Sequence, residues 1–569
     1  REVRHLHLDI YYRPMLPVNA QMENDQIVLS VEAAQERFES IGFGDPDAAI
    51  RHVQALTAGV GRAAKINRII LPAVLQWLGE GQNPDMGLLN WRKLEENFGT
   101  ESGYLGFLRD STSAAQRLCH ILSNSRFLGD ALNKSVESIS WLGDDDNLQA
   151  RTREALDVQT GSALERFGSN INEFATSMRA MRRHEIERIG LSWMSGVISD
   201  SDSLKAMTDV YDAIIDASLT WAVRHQIAEF GVETAPAGIT VIAMGRYGGR
   251  EVNFSSDADA ILIYRPADDA DGQANAFAKK VVEDLRNILQ GPTTLEPKIE
   301  LDLDLRPEGK NGPLVRSYAS CEEYYESWAS TWERQALLRA RYAAGDAELA
   351  RDFLINIADP LRYPTTELTE AELQNIRKLK ARMEAERLPR GVRRERHLKL
   401  GKGGLSDVEW TVQLMQLQHA GDIKDLRVNG TLEALDVLEA KKLISAIDAI
   451  QLRKAWTLCT AARNGSYLWS GRANQADILP DDIYSLGGIA VYLGYGAHRG
   501  QHFENDLLAV MRKCRDVCQR LFYGKTEGEA AAATTATASA ATQQPQTAPR
   551  PRMHVIAPRL ERNRRRAQR

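Results

Sequence analysis

The sequence predicts an α+β protein that is mostly helical, in which a small α/β unit lies between helical bundles. Apolar residues recur at helical spacing along most of the 569-residue chain. Short apolar and β-branched runs, the pattern of buried strands, occur at residues 239–244 and 260–264. Residues 298–306 alternate between polar and apolar side chains, which predicts a third strand with one polar face. These strands predict one small sheet among the helices.

Changes in this pattern divide the chain into five segments. They are a helical segment at residues 1–79, a helical module at 80–194, an α/β unit at 195–350, a helical bundle at 351–525 and a tail at 526–569. Residues 83–87 are predicted to form a loop, and residues 143–146 to interrupt the helical module. The tail combines an Ala/Thr-rich stretch with a run of arginines. That composition cannot build a packed core, so we predict that the tail is disordered.

Composition and net charge argue against some classes of protein. The net charge is −6 with 26% charged residues, which gives no basis for binding nucleic acid. No apolar run reaches about 18 residues, so a membrane helix is not predicted. The five scattered cysteines lack zinc-site spacing and favour a reducing compartment, the cytoplasm. Because the chain begins at Arg1 rather than Met, we expect a fragment of a longer protein.

A glycine-rich turn followed by two acids is the most informative motif. Residues 245–249 lead to Ser255 and Ser256 and then to Asp257 and Asp259. On a strand, residues i and i+2 point to the same face, so the two carboxylates lie side by side. Adjacent carboxylates repel each other unless a cation or a proton lies between them. Such hard oxygen ligands suit Mg²⁺, which binds through one or two carboxylates together with substrate phosphates.

The alternating segment at residues 298–306 carries further acids. As a strand it would place Glu300, Asp302, Asp304 and Arg306 on one face. One interpretation makes one of these acids the third ligand of a two-metal site for nucleotidyl transfer. The other is a solvated edge strand whose acids pair with Arg306 and lysines.

The C-terminal helices carry two charged stretches. Lys399, Asp407 and Glu409 lie in a glycine-rich segment that opens a helix, where nucleotide binding and domain contact are alternatives. Helix capping is a further alternative for Asp407. A basic run is predicted to form a solvated helix face, and contact of its nearest residue with triphosphate is the alternative. The run consists of Arg377, Lys378, Lys380 and Arg382.

Residues 244–259 resemble the nucleotidyltransferase motif of the DNA polymerase β superfamily. They are most similar to its version in bacterial glutamine synthetase adenylyltransferases. Three further blocks are similar to that family, at residues 305–315, 332–346 and 398–410. The order and spacing of the four blocks are specific to the family, and the resemblance covers nearly all of the chain except the tail.

The resemblance implies Mg²⁺-dependent transfer of AMP from ATP to a tyrosine hydroxyl of glutamine synthetase, which lowers that enzyme's activity when nitrogen is plentiful. It implies a polymerase β-like fold for residues 195–350. It also implies two Mg²⁺ ions held by Asp257, Asp259 and Asp302, with Asp302 on the acceptor side. Asp302 aligns with the family's acid, whereas the position of Asp304 is usually not acidic there.

The turn also provides groups that can contact ATP. Glycines let backbone N–H groups approach phosphate oxygens, and serine hydroxyls add further donors. Arg246 and Arg306 are candidate phosphate clamps, although an ion pair between Arg306 and a carboxylate is the alternative. The predicted ATP-binding residues are Gly245, Arg246, Gly248, Gly249, Ser255, Ser256 and Arg306.

The resemblance favours the C-terminal half of the family's enzymes, the half that adds AMP. Residues 1–79 are similar to the tail of the first catalytic half, and residues 80–194 to the linker that senses regulators. The PII signalling protein and glutamine are the implied effectors. Asn253 and Phe254, however, are closer to the motif of the half that removes AMP. Further alternatives are a uridylyltransferase of PII and a catalytically inactive scaffold. We also expect residues before about 190 to be dispensable for the chemical step.

Overall fold

The computed structural model describes residues 31–98, 103–268, 272–292, 294–389 and 391–525. The predictions for residues 1–30 and for the tail at 526–569 lie outside these described residues. The observed class is α+β, with long helices around one small mixed sheet. None of the helices in the described part of the chain combines the length and the apolar character needed to cross a bilayer.

Within residues 31–98 and 103–230, all of the regular structure consists of helices. They are α1 (Val31–Ser40), α2 (Pro46–Thr57), α3 (Arg62–Gly79), α4 (Pro84–Phe98), α5 (Gly103–Asp110), α6 (Thr112–Asn124), α7 (Arg126–Leu132), a 3₁₀ helix (Val136–Gly143), α8 (Asp145–Leu148), α9 (Arg153–Phe167), α10 (Ile171–Met194) and α11 (Asp200–Phe230). The interruption predicted at residues 143–146 is confirmed, since the 3₁₀ helix ends there and α8 is very short.

The prediction of a loop at residues 83–87 is wrong, because α4 begins at Pro84. The side-chain oxygen of Asn83 accepts the N–H of Met86 at 2.9 Å, which caps the helix. Proline fits the first helical position because the N–H that it lacks would have no partner there. The Asn-Pro pair is therefore a helix start and not a loop.

The helices before residue 195 share one apolar core with the α/β unit. This core extends from Trp91 of α4 through Phe174 of α10 to Val241 of the first strand. Phe174 stacks on Trp221 of α11 with ring centroids 6.0 Å apart. Burial of this continuous surface holds α10 and α11 against the sheet.

The sheet contains five strands, of which the outer ones are short. They are β1 (Ala237–Ala243), β2 (Ala258–Pro266), β3 (Leu301–Asp302), β4 (Val315–Ser317) and β5 (Arg341–Gly345). β1 is antiparallel to β2 and to β5, whereas β3 and β4 pair in parallel with successive parts of β2. The first two predicted strands are confirmed. β3 ends at Asp302, so most of the predicted strand at 298–306 is wrong.

Helices cover both faces of the sheet. Those in and after the unit are α12 (Gly245–Gly248), α13 (Ala274–Gln290), α14 (Tyr318–Ser327), α15 (Thr331–Leu337), α16 (Ala347–Asp352), a π-helix (Phe353–Ala358) and α17 (Asp359–Arg362). Val241 and Leu262 belong to the core shared with α10 and α13, whereas Ile242 and Ile261 pack in a second core with Phe353. Neighbouring strand residues point to opposite faces, so these apolar runs are buried on both sides.

A helical bundle with its own core follows. Its helices are α18 (Glu370–Glu386), α19 (Leu405–His419), α20 (Thr431–Ala440), α21 (Ala446–Ser470), α22 (Ile483–Tyr492) and α23 (Gly500–Leu521), with 3₁₀ turns at Arg394–Arg396, Lys424–Leu426 and Ala473–Gln475. Apolar side chains of α19, α21 and α23, among them Val408, Trp456 and Phe503, form the centre of this core.

The prediction that Lys380 belongs to a solvated face is wrong, because its side chain is fully buried. Its ammonium donates to the carboxylates of Glu384 and Asp407. Arg515 of α23 also contacts Asp407, at 2.9 Å. Burial alone would raise the pKa of Asp407, but Lys380 and Arg515 hold that pKa below its usual value. Asp407 also accepts the N–H of Gly403 at 2.6 Å, so this network joins α18, α19 and α23.

Lys380→Met is expected to destabilise the bundle by about 3–5 kcal/mol, the typical effect of removing one partner of a buried ion pair. The substitution leaves Glu384 and Asp407 buried with Arg515 as their remaining cation. Urea unfolding followed by circular dichroism measures the change. Lys378→Met, at an exposed position of the same helix, is the matched control and should change stability by less than about 0.5 kcal/mol. Equal effects of the two substitutions would contradict this role of Lys380.

Glu187 of α10 is fully buried, with the hydroxyl of Ser138 near its carboxylate. Burial raises the pKa of Glu187 to about 7. The folded state therefore binds this proton more tightly than the unfolded chain, and stability falls as the pH rises from about 4.5 to about 7.

Glu187→Gln is expected to remove this loss, which amounts to roughly 3 kcal/mol. The variant should melt at a higher temperature than the parent chain at about pH 8 and at a similar temperature at about pH 4.5. Glu165→Gln, at an exposed position of α9, is the control and should keep the parental pH dependence. A parental melting temperature of Glu187→Gln at both pH values would contradict the prediction.

Candidate functional site

The predicted glycine turn connects β1 to a short helix and lies against β2. The N–H of Met244 donates to the carbonyl of Asp259 at 2.8 Å, which fixes the start of the turn. Gly245 has a φ of 52°, and a Cβ at this position would lie 2.2 Å from Oδ2 of Asp259. Only glycine leaves room for this carboxylate, so the first glycine of the motif shapes the acidic site.

The next two glycines serve close packing. A Cβ on Gly248 would lie 1.9 Å from the carbonyl oxygen of Arg339, and one on Gly249 would lie 2.0 Å from its Nη1. Their N–H groups donate within the turn, to Met244 at 2.6 Å and to Gly245 at 3.1 Å. Both amides have partners within the turn, and phosphate binding by Gly248 and Gly249 stays a prediction. Arg339, which lies in the predicted block 332–346, pairs with Glu251 at 3.0 Å.

The loop before β2 is organised by Asn253. Its Oδ1 accepts the hydroxyls of Ser255 at 3.2 Å and of Ser256 at 2.8 Å. The N–H of Asn253 donates back to the oxygen of Ser256 at 3.1 Å. Phe254 is buried and stacks on Tyr467 of α21 with ring centroids 6.0 Å apart. The loop is thus held at the junction with the C-terminal bundle, and its two serine hydroxyls lie at the edge of the acidic site.

The three predicted metal ligands come together at the ends of β2 and β3. Asp259 lies opposite Asp302 in the parallel pairing of the two strands, and Asp257 immediately precedes β2. Burial, followed by the charge of Asp302, raises the pKa of Asp259 to about 7, although Lys399 opposes the shift. Burial and the charges of Asp302 and Glu300 also raise the pKa of Asp257. These acids repel one another as predicted from their spacing.

The chemistry of these carboxylates fits Mg²⁺, since they are hard oxygen donors whose repulsion a divalent cation would relieve. In the described part of the chain, no three acidic, histidine or cysteine side chains are already spaced as a complete ligand set. One oxygen of Asp302 accepts the N–H of Asp304 at 2.8 Å. Metal binding by Asp257, Asp259 and Asp302 therefore remains a prediction that the arrangement supports.

Asp304 and Arg306 face a neighbouring loop. Asp304 is 44% exposed and lies 3.2 Å from the ammonium of Lys310. Arg306 is buried, and its guanidinium donates to the carbonyls of Leu303, Lys310 and Gly312 at 2.7, 3.0 and 2.9 Å. This loop accepts the donors of Arg306, and phosphate binding by Arg306 stays a prediction. Arg306 lies in this loop because β3 ends at Asp302, after which the chain turns away from β2.

Arg246 connects the turn to the C-terminal bundle. Its Nη2 donates to Oε1 of Glu409 at 2.6 Å. Among the described residues, Nε and Nη1 of Arg246 have no hydrogen-bond partner, although both atoms are buried. The charge of Lys399 lowers the pKa values of Asp257 and Asp259 against the larger effect of burial, so this lysine lies near them. Of the three residues considered in block 398–410, Lys399 and Glu409 adjoin the site, whereas Asp407 belongs to the buried network around Lys380.

Sequence reasoning missed two arginines near the site. Arg182 of α10 donates to the hydroxyl of Tyr211 at 2.9 Å, and Tyr211 donates to the carbonyl of Ser256 at 3.1 Å. Arg463 of α21 is buried and pairs with Asp477. Each lies on a long helix far from the motif in sequence. The one signal in the sequence was that Arg463 lies among small residues in a helical stretch, a setting that indicates a buried charge.

Comparison with known proteins agrees with this arrangement. Residues 115–356 match the family model of glutamate-ammonia ligase adenylyltransferase, which covers the acidic site. Residues 375–522 match the model of GlnD PII-uridylyltransferase, which covers most of the C-terminal bundle. The two matches together span both units that meet at the site.

Curated relatives are similar over nearly the whole chain. The bifunctional glutamine synthetase adenylyltransferase/adenylyl-removing enzyme of Bifidobacterium longum subsp. infantis is 98% identical over 100% of this chain and 53% of its own length. Proteins of the same name from Leifsonia xyli and Streptomyces coelicolor are each 41% identical, over 93% and 92% of this chain and 52% and 53% of their own lengths. The chain spans about half the length of the relatives it matches. It belongs to the family of bifunctional glutamine synthetase adenylyltransferase/adenylyl-removing enzymes and corresponds to the C-terminal half of such an enzyme.

Proposed function

We propose that this chain transfers AMP from ATP to a tyrosine hydroxyl of glutamine synthetase, with Mg²⁺ as cofactor. The observation that carries the proposal is the convergence of Asp257, Asp259 and Asp302 beside the glycine turn at the edge of the sheet. The mixed sheet with this acidic edge supports a polymerase β-like fold for residues 195–350. The names of the relatives supply the protein substrate.

The residues have separate roles in this reaction. Two bound Mg²⁺ ions would supply charge neutralisation at the attacking and leaving oxygens of an in-line displacement. Asp257 and Asp259 would hold the metals, and Asp302 would hold the ion on the acceptor side and accept the proton of the tyrosine hydroxyl. The tyrosine oxygen forms a bond to the α-phosphorus, whose bond to the bridging oxygen of pyrophosphate breaks. Ser255, Ser256 and Arg246 orient the phosphates, and Gly245 makes room for the carboxylate of Asp259.

The direction of the reaction is proposed as addition. Correspondence to the C-terminal half supports it, because the family resemblance assigns AMP addition to that half. Asn253 and Phe254, which suggested removal, stabilise the loop and contact α21, so they have a packing role that either activity could use. We further propose a cytoplasmic location and regulation by PII and glutamine through residues 80–194, for which the family resemblance is the support.

Uridylyl transfer is the second candidate, since the C-terminal bundle matches a PII-uridylyltransferase model. The match of the acidic site to an adenylyltransferase model favours AMP. Incubation of the chain with Mg²⁺, either α-labelled ATP or α-labelled UTP, and either glutamine synthetase or PII as acceptor distinguishes the two. A parallel incubation with adenylylated synthetase and phosphate tests removal of AMP. We expect label from ATP on the synthetase. Label from UTP on PII alone, or release of ADP from adenylylated synthetase in phosphate without any addition, would overturn the proposal.

A further inference from the structure

Lys399 and Arg463 are brought together by the segment around Asp477. The N–H of Leu398 donates to the carbonyl of Asp477 at 2.8 Å, so Lys399 begins next to this strand-like segment. The carboxylate of the same Asp477 pairs with Nε of Arg463 on α21. The residue before Lys399 and the guanidinium of Arg463 are therefore both held by Asp477.

Arg246 joins them from the α/β unit. Glu409, in the second turn of α19, holds one nitrogen of Arg246 at 2.6 Å. Burial, and then the charges of Arg463 and Arg246, lower the pKa of Lys399, which reflects the closeness of the three cations. Glu409 and Asp477 are the two carboxylates paired with this cluster among the described residues. Three cations and their two paired carboxylates thus meet at the junction of the two units, beside the acids of the site.

Buried donors in this cluster have no partner in the described part of the chain. They are Nε and Nη1 of Arg246 and Nη1 of Arg463, whose side chains belong to residues only 9% and 4% exposed. On α21, Thr460 and Asn464 are also buried without side-chain partners. Buried guanidinium donors without acceptors are costly, and such donors favour an oxygen-rich anion.

The cluster adjoins the acidic site. Arg246 follows Gly245, whose backbone lies against the carboxylate of Asp259. One turn of helix beyond Arg463, Tyr467 stacks on Phe254 of the loop that carries the serines. An anion bound by this cluster would lie beside the carboxylates of the acidic site. It would be on the side of that site that faces the C-terminal bundle.

We propose that Arg246, Lys399 and Arg463 form a pyrophosphate subsite, which holds the β- and γ-phosphates of the nucleotide and then the leaving group. This rests on the proposed nucleotidyl transfer, in which the electron pair of the broken bond leaves with pyrophosphate. The subsite gives the C-terminal bundle a direct part in substrate binding. It also explains why a buried helix of that bundle carries an arginine beside the α/β unit.

Binding of inorganic pyrophosphate to the full chain, measured by titration calorimetry, tests the subsite without requiring activity. The double variant Arg463→Gln/Asp477→Asn removes the cation and its partner together, so no buried carboxylate is left unpaired. We expect this variant and Lys399→Met each to weaken pyrophosphate binding at least about tenfold, as loss of a charge-assisted contact should. Arg472→Gln, at an exposed position just after α21, is the control and should bind as the parent chain does.

Each outcome is informative. Weaker pyrophosphate binding in a chain that never transfers AMP would support the subsite and overturn the proposed function. Normal AMP transfer with pyrophosphate binding unchanged in both variants would overturn the subsite alone. Absence of pyrophosphate binding to the parent chain, or orthophosphate binding as tight as pyrophosphate, would also overturn it. If the double variant shows altered circular dichroism, pyrophosphate binding is measured on Arg463→Lys instead. This variant should retain part of the binding because the charge remains.

Discussion

Asp259→Asn and Asp257→Asn are each expected to lower the rate of AMP transfer at least about 100-fold, as removal of one electrostatic group from an active site commonly does. Each substitution keeps the shape of the side chain and removes the charge that would hold Mg²⁺. The fold should be unaffected, because burial and the neighbouring Asp302 already raise the pKa of Asp259 to about 7. A neutral amide relieves this repulsion, so the melting temperature at about pH 8 should not fall.

Transfer of label from ATP to glutamine synthetase, together with circular dichroism of each variant, measures this prediction. Glu283→Gln, at an exposed position of α13, is the control for loss of an acidic charge from the α/β unit and should keep the parental rate. Native-like circular dichroism with an unchanged rate in either Asp variant would show that the site is assigned to the wrong carboxylates.

Asp302→Ala is expected to cost at least about 100-fold in rate, whereas Asp304→Ala should cost no more than a few-fold, as loss of an exposed ion pair does. The structure now supplies the reason. Asp302 lies opposite Asp259 across β2 and β3, whereas Asp304 is half-exposed and pairs with Lys310. We therefore expect Asp302, and not Asp304, to share a cation with Asp259.

Single-turnover rates at saturating ATP measure this difference. Asp302→Asn is the matched control, because its amide oxygen can still accept the N–H of Asp304 that Asp302 accepts. Equal losses in the Ala and Asn variants would show that the charge, and not the loop contact, is needed. Equal losses at positions 302 and 304 would contradict the assignment of a single third ligand.

Residues before 195 contact the α/β unit directly. The sequence predicts that residues before about 190 are dispensable for the chemical step, as a separate module would be. However, Arg179 of α10 donates to the carbonyl of Ile288 on α13 at 2.8 Å, and Arg182 reaches the serine loop through Tyr211. A truncation near residue 189 would remove these contacts and open the shared core. A start before α9 keeps the core contacts of α9 and α10 and is the better design.

Local patterns in the sequence determined the α+β class, the first two strands and the glycine turn with its acids. Each of these features follows from the periodicity of apolar residues or from a short motif. Both depend on residues that are close together in the sequence. The family resemblance added the choice of Asp302, which periodicity alone left open among the acids of that segment.

Only the tertiary structure decided which charged residues serve the site. Arg306, Lys380 and Asp407 look in sequence like surface or ligand-binding charges, yet they stabilise a loop and the bundle core. Arg182 and Arg463 look like ordinary helix residues, yet packing brings them to the serine loop and to Lys399. The free energy of a charged side chain depends on burial and on partners distant along the chain, and neither is encoded in local spacing.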